Sequence, residues 1–303
     1  MSVTVSTATI PLTTTRAPTR RDLVPILLTA PLILYMLVFY ALPVAAMLLR
    51  SVDSPHWSLD NFRQLAHDQV FLQVFWITLR IAFVVTIGTL LLGYPVALAL
   101  VHLRRGPAAL VLVLVLLPFW TSVLVRSYAW MVLLGRHGLI NEALAAAGLI
   151  DTPLKLLNTS IAVYVAMIHI LLPYMILPIA SVLRQIDPAL PRAAAGLGAA
   201  PWRVFRQVVL PLSMPGVAAG VLLVFVLSLG FYITPALVGG PRDMLLSMLI
   251  AQQVDLINWP YAACLSATLL AATLAMLAVF QRLPGVRPGV HPGVRNVLRS
   301  ATR

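Results

Sequence analysis

Residues 192–216 read Arg-Ala-Ala-Ala-Gly-Leu-Gly-Ala-Ala-Pro-Trp-Arg-Val-Phe-Arg-Gln-Val-Val-Leu-Pro-Leu-Ser-Met-Pro-Gly, an arginine-bearing island between two long apolar runs. These residue types suit a mechanical contact rather than bond-making chemistry. Ala193, Ala194, Ala195 and Leu197 favour a short helix. Gly198 can take φ > 0 and end it. Pro201 suits the first turn of a second helix, which Trp202 to Val209 continue. On that helix Val204, Phe205 and Val208 share one face and Arg203 and Arg206 another. Leu210-Pro211 and Pro215-Gly216 then break the path into the next apolar run. Two short helices of this kind transmit force to a partner better than a flexible loop does.

The apolar runs offer few reactive groups. Arg80 and Arg126 are the charges inside them, and an ionised side chain at mid-bilayer costs about 2.5–3.5 kcal/mol or more. Both are read near the outer ends of their helices. Their stems then either snorkel to the interface, or one arginine faces a second subunit or lines an outer vestibule. His169 is read as a hydrogen-bonding packing residue, because no second His, Cys or acid stands at metal-ligand spacing from it. Tyr232, Thr234 and Pro235 form a candidate gate: Pro235 would release a carbonyl and kink its helix. Cys264, the single cysteine, is read as a buried thiol. No catalytic, cofactor or metal constellation stands out, and no G-x-x-x-x-G-K-[ST] phosphate loop is present.

The elements that carry these residues follow from composition. The chain is 60% hydrophobic and 10% charged, against roughly 25% charged in soluble domains. Lipid must therefore be its solvent. A net charge of +12 does not imply nucleic acid, because the arginines stand between runs long enough to span a membrane. A spanning helix needs about 20 apolar residues, and six stretches qualify: 23–49, 75–101, 107–133, 160–183, 215–238 and 259–281. Backbone pairing in hydrocarbon makes them helices, and the absence of period-2 alternation disfavours a β-barrel.

Fourteen Lys and Arg fall in the N-tail, the 102–106 turn, the 184–214 loop and the C-tail, against five in the other loops. The positive-inside rule then puts both termini in the cytoplasm, and Asn141 outside. Residues 1–22 are read as a disordered cytoplasmic tail, 23–283 as one six-span domain and 284–303 as a basic cytoplasmic tail. Asp60 is a candidate helix cap, and 138–150 a short helix on the outer surface.

The 192–216 stretch resembles the coupling loop of bacterial ABC importer permeases: Glu-Ala-Ala-x-x-x-Gly, nine residues, then Ile-x-Leu-Pro. Ala193, Ala194, Gly198, Val208, Leu210 and Pro211 fall on this pattern, and Arg192 replaces its leading Glu. Beyond the loop, residues 22–283 resemble the spermidine/putrescine-type permeases, the first-subunit form more than the second. The segments that carry this include Leu91-Leu92-Gly93-Tyr94-Pro95, Leu117-Pro118-Phe119-Trp120-Thr121-Ser122, Val125-Arg126-Ser127-Tyr128-Ala129-Trp130 and Gly230-Phe231-Tyr232-Ile233-Thr234-Pro235.

The resemblance implies an all-α, six-helix type I importer bundle, N-in and C-in, in the bacterial inner membrane. It also implies an assembly with two ATPase subunits, a second permease subunit and a periplasmic binding protein. Ala193, Ala194, Gly198, Trp202, Phe205, Val208, Leu210 and Pro211 would then meet the ATPase, with the apolar face around Phe205 in its groove. Trp120, Arg126, Tyr232, Thr234 and Pro235 would line or gate the pathway. The chain itself would be neither an enzyme nor a cofactor binder. The cargo implied is putrescine, spermidine or a related small organic cation, with an opine or amino-acid derivative as the alternative. A secondary transporter would place an acid in a span, and a membrane-embedded enzyme would need more than His169.

Overall fold

The computed structural model describes residues 29–52 and 60–282. The expected terminal tails, 1–22 and 284–303, lie outside the described residues. The chain divides into two units, Met1–Leu49 and Arg50–Arg303.

The first unit carries most of one spanning helix, α1 (Thr29–Arg50). A π-helical turn at Leu37–Ala41 interrupts it, closed by the Leu42 N–H to the Leu37 carbonyl. Pro43 follows at once and has no N–H to offer Phe39, so widening the turn accommodates the lost bond.

The second unit begins with α2 (Asp60–His67) and α3 (Gln69–His102). Asp68 caps α3 by accepting a 2.8 Å bond from the Val70 N–H. At about 1.5 Å per residue, the 34 residues of α3 exceed the hydrocarbon thickness. The run expected as a single span at 107–133 is instead two helices, α4 (Arg105–Trp120) and α5 (Val123–Leu133), bent by 104°. Pro118 removes a helical donor near the end of α4, and Thr121 and Ser122 are extended, with ψ of 142° at both. The Thr121 hydroxyl donates to the Pro118 carbonyl at 3.1 Å, satisfying a group freed at the break.

The short helix expected after Gly138 is α6 (Leu139–Ala146). Next come α7 (Ser160–Gln185), α8 (Ala189–Gly196) and α9 (Pro201–Leu229). The run expected to span 215–238 thus starts earlier and stops at Leu229, with Gly230 as its C-cap. Pro235 therefore kinks no span; it lies in the first turn of the separate short helix α10 (Ile233–Val238). The last helices are α11 (Leu246–Asp255) and α12 (Trp259–Arg282).

Helices α3, α7 and α9 form the core, where Ile81, Val85, Met167, Met175, Ile176, Ile179 and Val224 are fully buried. Gly216 and Gly220 stand one turn apart on the α9 face that meets α7. A Cβ on Gly216 would lie 2.9 Å from both the Pro178 carbonyl oxygen and Val182 Cβ, and one on Gly220 would lie 2.8 Å from Met175 Sδ. Small residues here let two backbones approach closely, which is how helices associate in a solvent as apolar as their side chains. Several hydroxyls in the spans are satisfied within their own helices: Thr86 donates to Ala82 O at 2.7 Å and Ser228 to Val224 O at 2.7 Å.

Candidate coupling and pathway sites

The loop region 184–214 forms one end of the α3–α7–α9 core. Asp187 accepts a 2.8 Å bond from the Ala189 N–H and so starts α8. Gly198 has φ +85°, and its N–H bonds Ala195 O at 2.9 Å while the Ala199 N–H bonds Ala194 O at 3.2 Å. This is the left-handed helix ending that glycine permits. Pro201 opens α9. A second π turn, Phe205–Val209, is closed by the Leu210 N–H to Phe205 O. Pro211 follows it, as Pro43 follows the first.

This end is arranged differently from the sequence expectation in one respect. Val204, Phe205 and Val208 are half-buried against their own chain rather than presented as a free face. The Phe205 ring lies edge-on to Tyr94 of α3, with centroids 6.0 Å apart, and Trp202 stacks on it at 5.5 Å. Tyr94 in turn shares a 2.8 Å hydrogen bond with Ser213 of α9. The most exposed large apolar residues of this region are Leu197, 90% exposed, and Trp202, 68% exposed. Beside them an apolar cleft of about 570 Å³ is lined by residues including Leu98, His102, Ala195 and Phe205. Ala193, Arg192 and Pro211 are exposed; Ala194 and Leu210 are half-buried. Among the described residues Arg192 has no salt-bridge partner.

The pathway candidates separate into two groups. Thr234 and Pro235 are buried where α10 packs on α5, and the Thr234 and Ser127 hydroxyls share a 2.8 Å bond. Trp120 and Tyr232, by contrast, are exposed. Arg126 is not at an outer helix end. It lies on α5 within electrostatic reach of Tyr174 and His169, which bracket the midpoint of α7. Its Nε is buried with no hydrogen-bond partner. The bend at 120–123 causes this placement by turning α5 across α7. Arg80, by contrast, is exposed on α3. His169 does act as a packing hydrogen-bonder: Trp130 Nε1 donates to its Nδ1 at 3.3 Å.

The opposite end of the core is fastened by buried polar groups. Asp243 accepts from the Ser160 hydroxyl at the start of α7 and from the Gly240 N–H at 3.1 Å. A carboxylate at a helix N-terminus is favoured by the helix dipole. The Leu246 N–H bonds Thr78 Oγ1 at 2.8 Å. Asp68 Oδ2 accepts a 2.5 Å bond from the Tyr261 hydroxyl. That bond holds the Asp68 carboxyl below its ordinary range, against the opposing effect of burial and with help from the Val70 and Phe71 N–H groups. Sequence reasoning missed Tyr94, Asp243 and Gly216/Gly220. Only the last pair carried a legible signal, a Gly-x-x-x-Gly within an apolar run. Among the described residues no group of His, Cys, Asp or Glu could hold a metal.

The family model described as "Binding-protein-dependent transport system inner membrane component" matches residues 23–287. The spermidine/putrescine permease PotB of Escherichia coli K12 is 36% identical over 227 residues, 75% of this chain and 82% of its own length. PotB of Haemophilus influenzae is 35% identical over 245 residues, 80% and 81% of the two chains. The E. coli inner-membrane ABC transporter permease YdcU is 35% identical over 242 residues, 76% of this chain and 77% of its own. In solved structures, a chain of a bacterial ABC transporter that imports alginate superposes with TM-score 0.71 at 19% identity, covering 87% of this chain and 97% of that one, which speaks for the fold alone. With a family model matching residues 23–287 and relatives more than 30% identical over three quarters of its length, this chain belongs to the binding-protein-dependent transport system inner-membrane components and is a permease subunit of an ABC importer.

Proposed function

We propose that this subunit forms half of an ATP-driven import pathway for putrescine, spermidine or a related small organic cation, paired with a second permease subunit. The observation that carries the cargo is the 36% identity to a spermidine/putrescine permease over 75% of the chain. The dimeric ATPase engages the 192–211 segment through Leu197 and Trp202. Phe205 passes the motion to α3 through Tyr94, and the Tyr94–Ser213 bond keeps α3 and α9 moving together. Aromatic rings such as Trp120 and Tyr232 offer weak cation–π contacts. Tight capture belongs to the periplasmic binding protein.

Uptake of labelled putrescine and spermidine, in a strain without other polyamine importers, is expected to fall when this subunit is deleted and to return when it is restored. Unchanged uptake of both would transfer the cargo assignment to an opine or amino-acid derivative.

The Lys/Arg asymmetry sets the proposed orientation, with the 192–211 segment in the cytoplasm. Asn141 is a poor probe of it: the residue is 2% exposed and its amide is bonded to Gly135 O, Leu154 O and Leu154 N. Its neighbour Glu142 is exposed, as is Arg192. In a Cys264→Ala background, Glu142→Cys should label with an impermeant thiol reagent applied to intact spheroplasts, and Arg192→Cys only after lysis. Labelling of Arg192→Cys from outside would invert the orientation.

A further inference from the structure

Arg126, Trp130, His169, Tyr174 and Phe119 form one patch where α4, α5 and α7 meet. Phe119 and Tyr174 are 4.9 Å apart and Trp130 and His169 5.5 Å apart, measured between ring centroids. His169 and Phe119 are exposed on the surface of the chain, and Arg126, Trp130 and Tyr174 are half-buried. The depth is mid-span, since His169 and Tyr174 bracket the middle of the 26-residue α7. A guanidinium and an imidazole at that depth do not face hydrocarbon; such groups face protein or a water-filled path.

The patch lacks an anionic group. The indole N–H of Trp130 can only donate, so the His169 Nδ1 that receives it is unprotonated and the ring proton sits on Nε2. Arg126 Nε is buried without a partner. Among the described residues the sole salt bridge joins Arg63 and Asp60. The acids Asp60, Asp68, Glu142, Asp151, Asp187, Asp243 and Asp255 all lie outside the spanning segments. A half-buried guanidinium at mid-span, with its Nε unpartnered, is best matched by a carboxylate, and the spans of this chain carry none. A second copy of the chain would not carry one either.

We propose that Arg126 pairs across the pathway with a carboxylate on a spanning helix of a second, different permease subunit, and that a cationic cargo opens this closure by taking the carboxylate from the guanidinium. The proposal rests on the two-subunit importer reading above. It makes Arg126 a positioning residue that holds the empty pathway shut, and it explains how a fixed cation can stand in the path of a cationic cargo: both compete for one anion.

The test uses the whole importer in lipid nanodiscs for ATPase assays and in cells for uptake. Arg126→Gln should raise ATP hydrolysis in the absence of cargo several-fold and lower uptake, because the closure is lost while the subunits still co-purify. Arg126→Lys keeps the charge and should hold cargo-free hydrolysis near wild type. Arg126→Glu places like charges together and should lower uptake by about tenfold or more. One Asp→Arg or Glu→Arg replacement in the spans of the second permease should then restore it to within about threefold, as coupled pairs do. Wild-type uptake and hydrolysis in Arg126→Gln would overturn the proposal, as would failure of every such swap to rescue Arg126→Glu. Loss of uptake with unchanged cargo-free hydrolysis would also overturn it, and would make Arg126 a contact of a carboxylate-bearing cargo. The subunit composition of the purified wild-type complex tests the underlying reading separately, because two copies of this chain without a second permease would refute that reading before any variant is made.

Discussion

Gly216→Leu is expected to reduce membrane abundance of this subunit by about tenfold or more, since losses of only about 1–2 kcal/mol already change cellular abundance several-fold. The cause is steric. The first added carbon would sit 2.9 Å from the Pro178 carbonyl oxygen, a backbone atom that cannot rotate away, and 2.9 Å from Val182 Cβ. Overpacking a close-packed contact typically costs about 1–3 kcal/mol, and leucine adds three further carbons to the same gap. Gly220→Leu should follow with a smaller loss. Its nearest obstacle is Met175 Sδ, the end of a flexible side chain that can partly yield. Ala219 lies between the two glycines in sequence but is exposed, so Ala219→Leu should accumulate normally. Immunoblots of washed membranes at matched expression read all three. Wild-type levels of Gly216→Leu would mean that α7 and α9 do not approach as described.

The second large effect concerns coupling. Leu197→Asp combined with Trp202→Ala should abolish co-purification of the ATPase and lower uptake by about tenfold or more, at unchanged membrane abundance. Buried Trp anchors in protein interfaces are often worth about 2 kcal/mol or more when truncated, and each 1.4 kcal/mol is about tenfold in affinity. Because Leu197 and Trp202 are largely exposed in this chain, their removal leaves the fold intact. Phe205→Ala should behave differently. Its ring faces Tyr94 of α3, so the variant should keep its ATPase yet import fewer molecules per ATP hydrolysed. If Phe205→Ala loses the ATPase while the double variant keeps it, the two roles are reversed.

These expectations differ from a helical-wheel reading of the loop, and the difference is instructive. The wheel correctly grouped Val204, Phe205 and Val208, and correctly placed the turn at Gly198, whose φ is +85°. A wheel shows which residues share a face, not what that face meets. Tyr94 is 111 positions away in the chain from Phe205, and no local pattern announces their contact. Arg126 is a similar case. Counting along an unbroken helix put it near a membrane surface, whereas the 104° bend between α4 and α5 sets it against the middle of α7. Pro118 and the Thr121-Ser122 pair stand at the break, yet proline is tolerated elsewhere in these spans, at Pro95, Pro173 and Pro178. Which proline breaks a helix depends on whether neighbours hold the two sides in line.

What the sequence determined by itself was local and additive. Runs of apolar residues longer than the bilayer requires make spanning helices because unpaired backbone groups are intolerable in hydrocarbon. The spacing of Gly198, Leu210 and Pro211 marked the segment proposed to meet the ATPase, and the resemblance to importer permeases held over residues 23–287. The tertiary structure decided what depends on partners distant in sequence: the bend in the third run, the end of the fifth at Gly230, the inward turn of Phe205, the clamp of Asp243 on Ser160, and the depth of Arg126. In each of these the local sequence permits more than one conformation, and packing against α3 or α7 selects one. That selection arises because close-packed interiors admit few arrangements of side chains, and the residues that impose it lie on other helices.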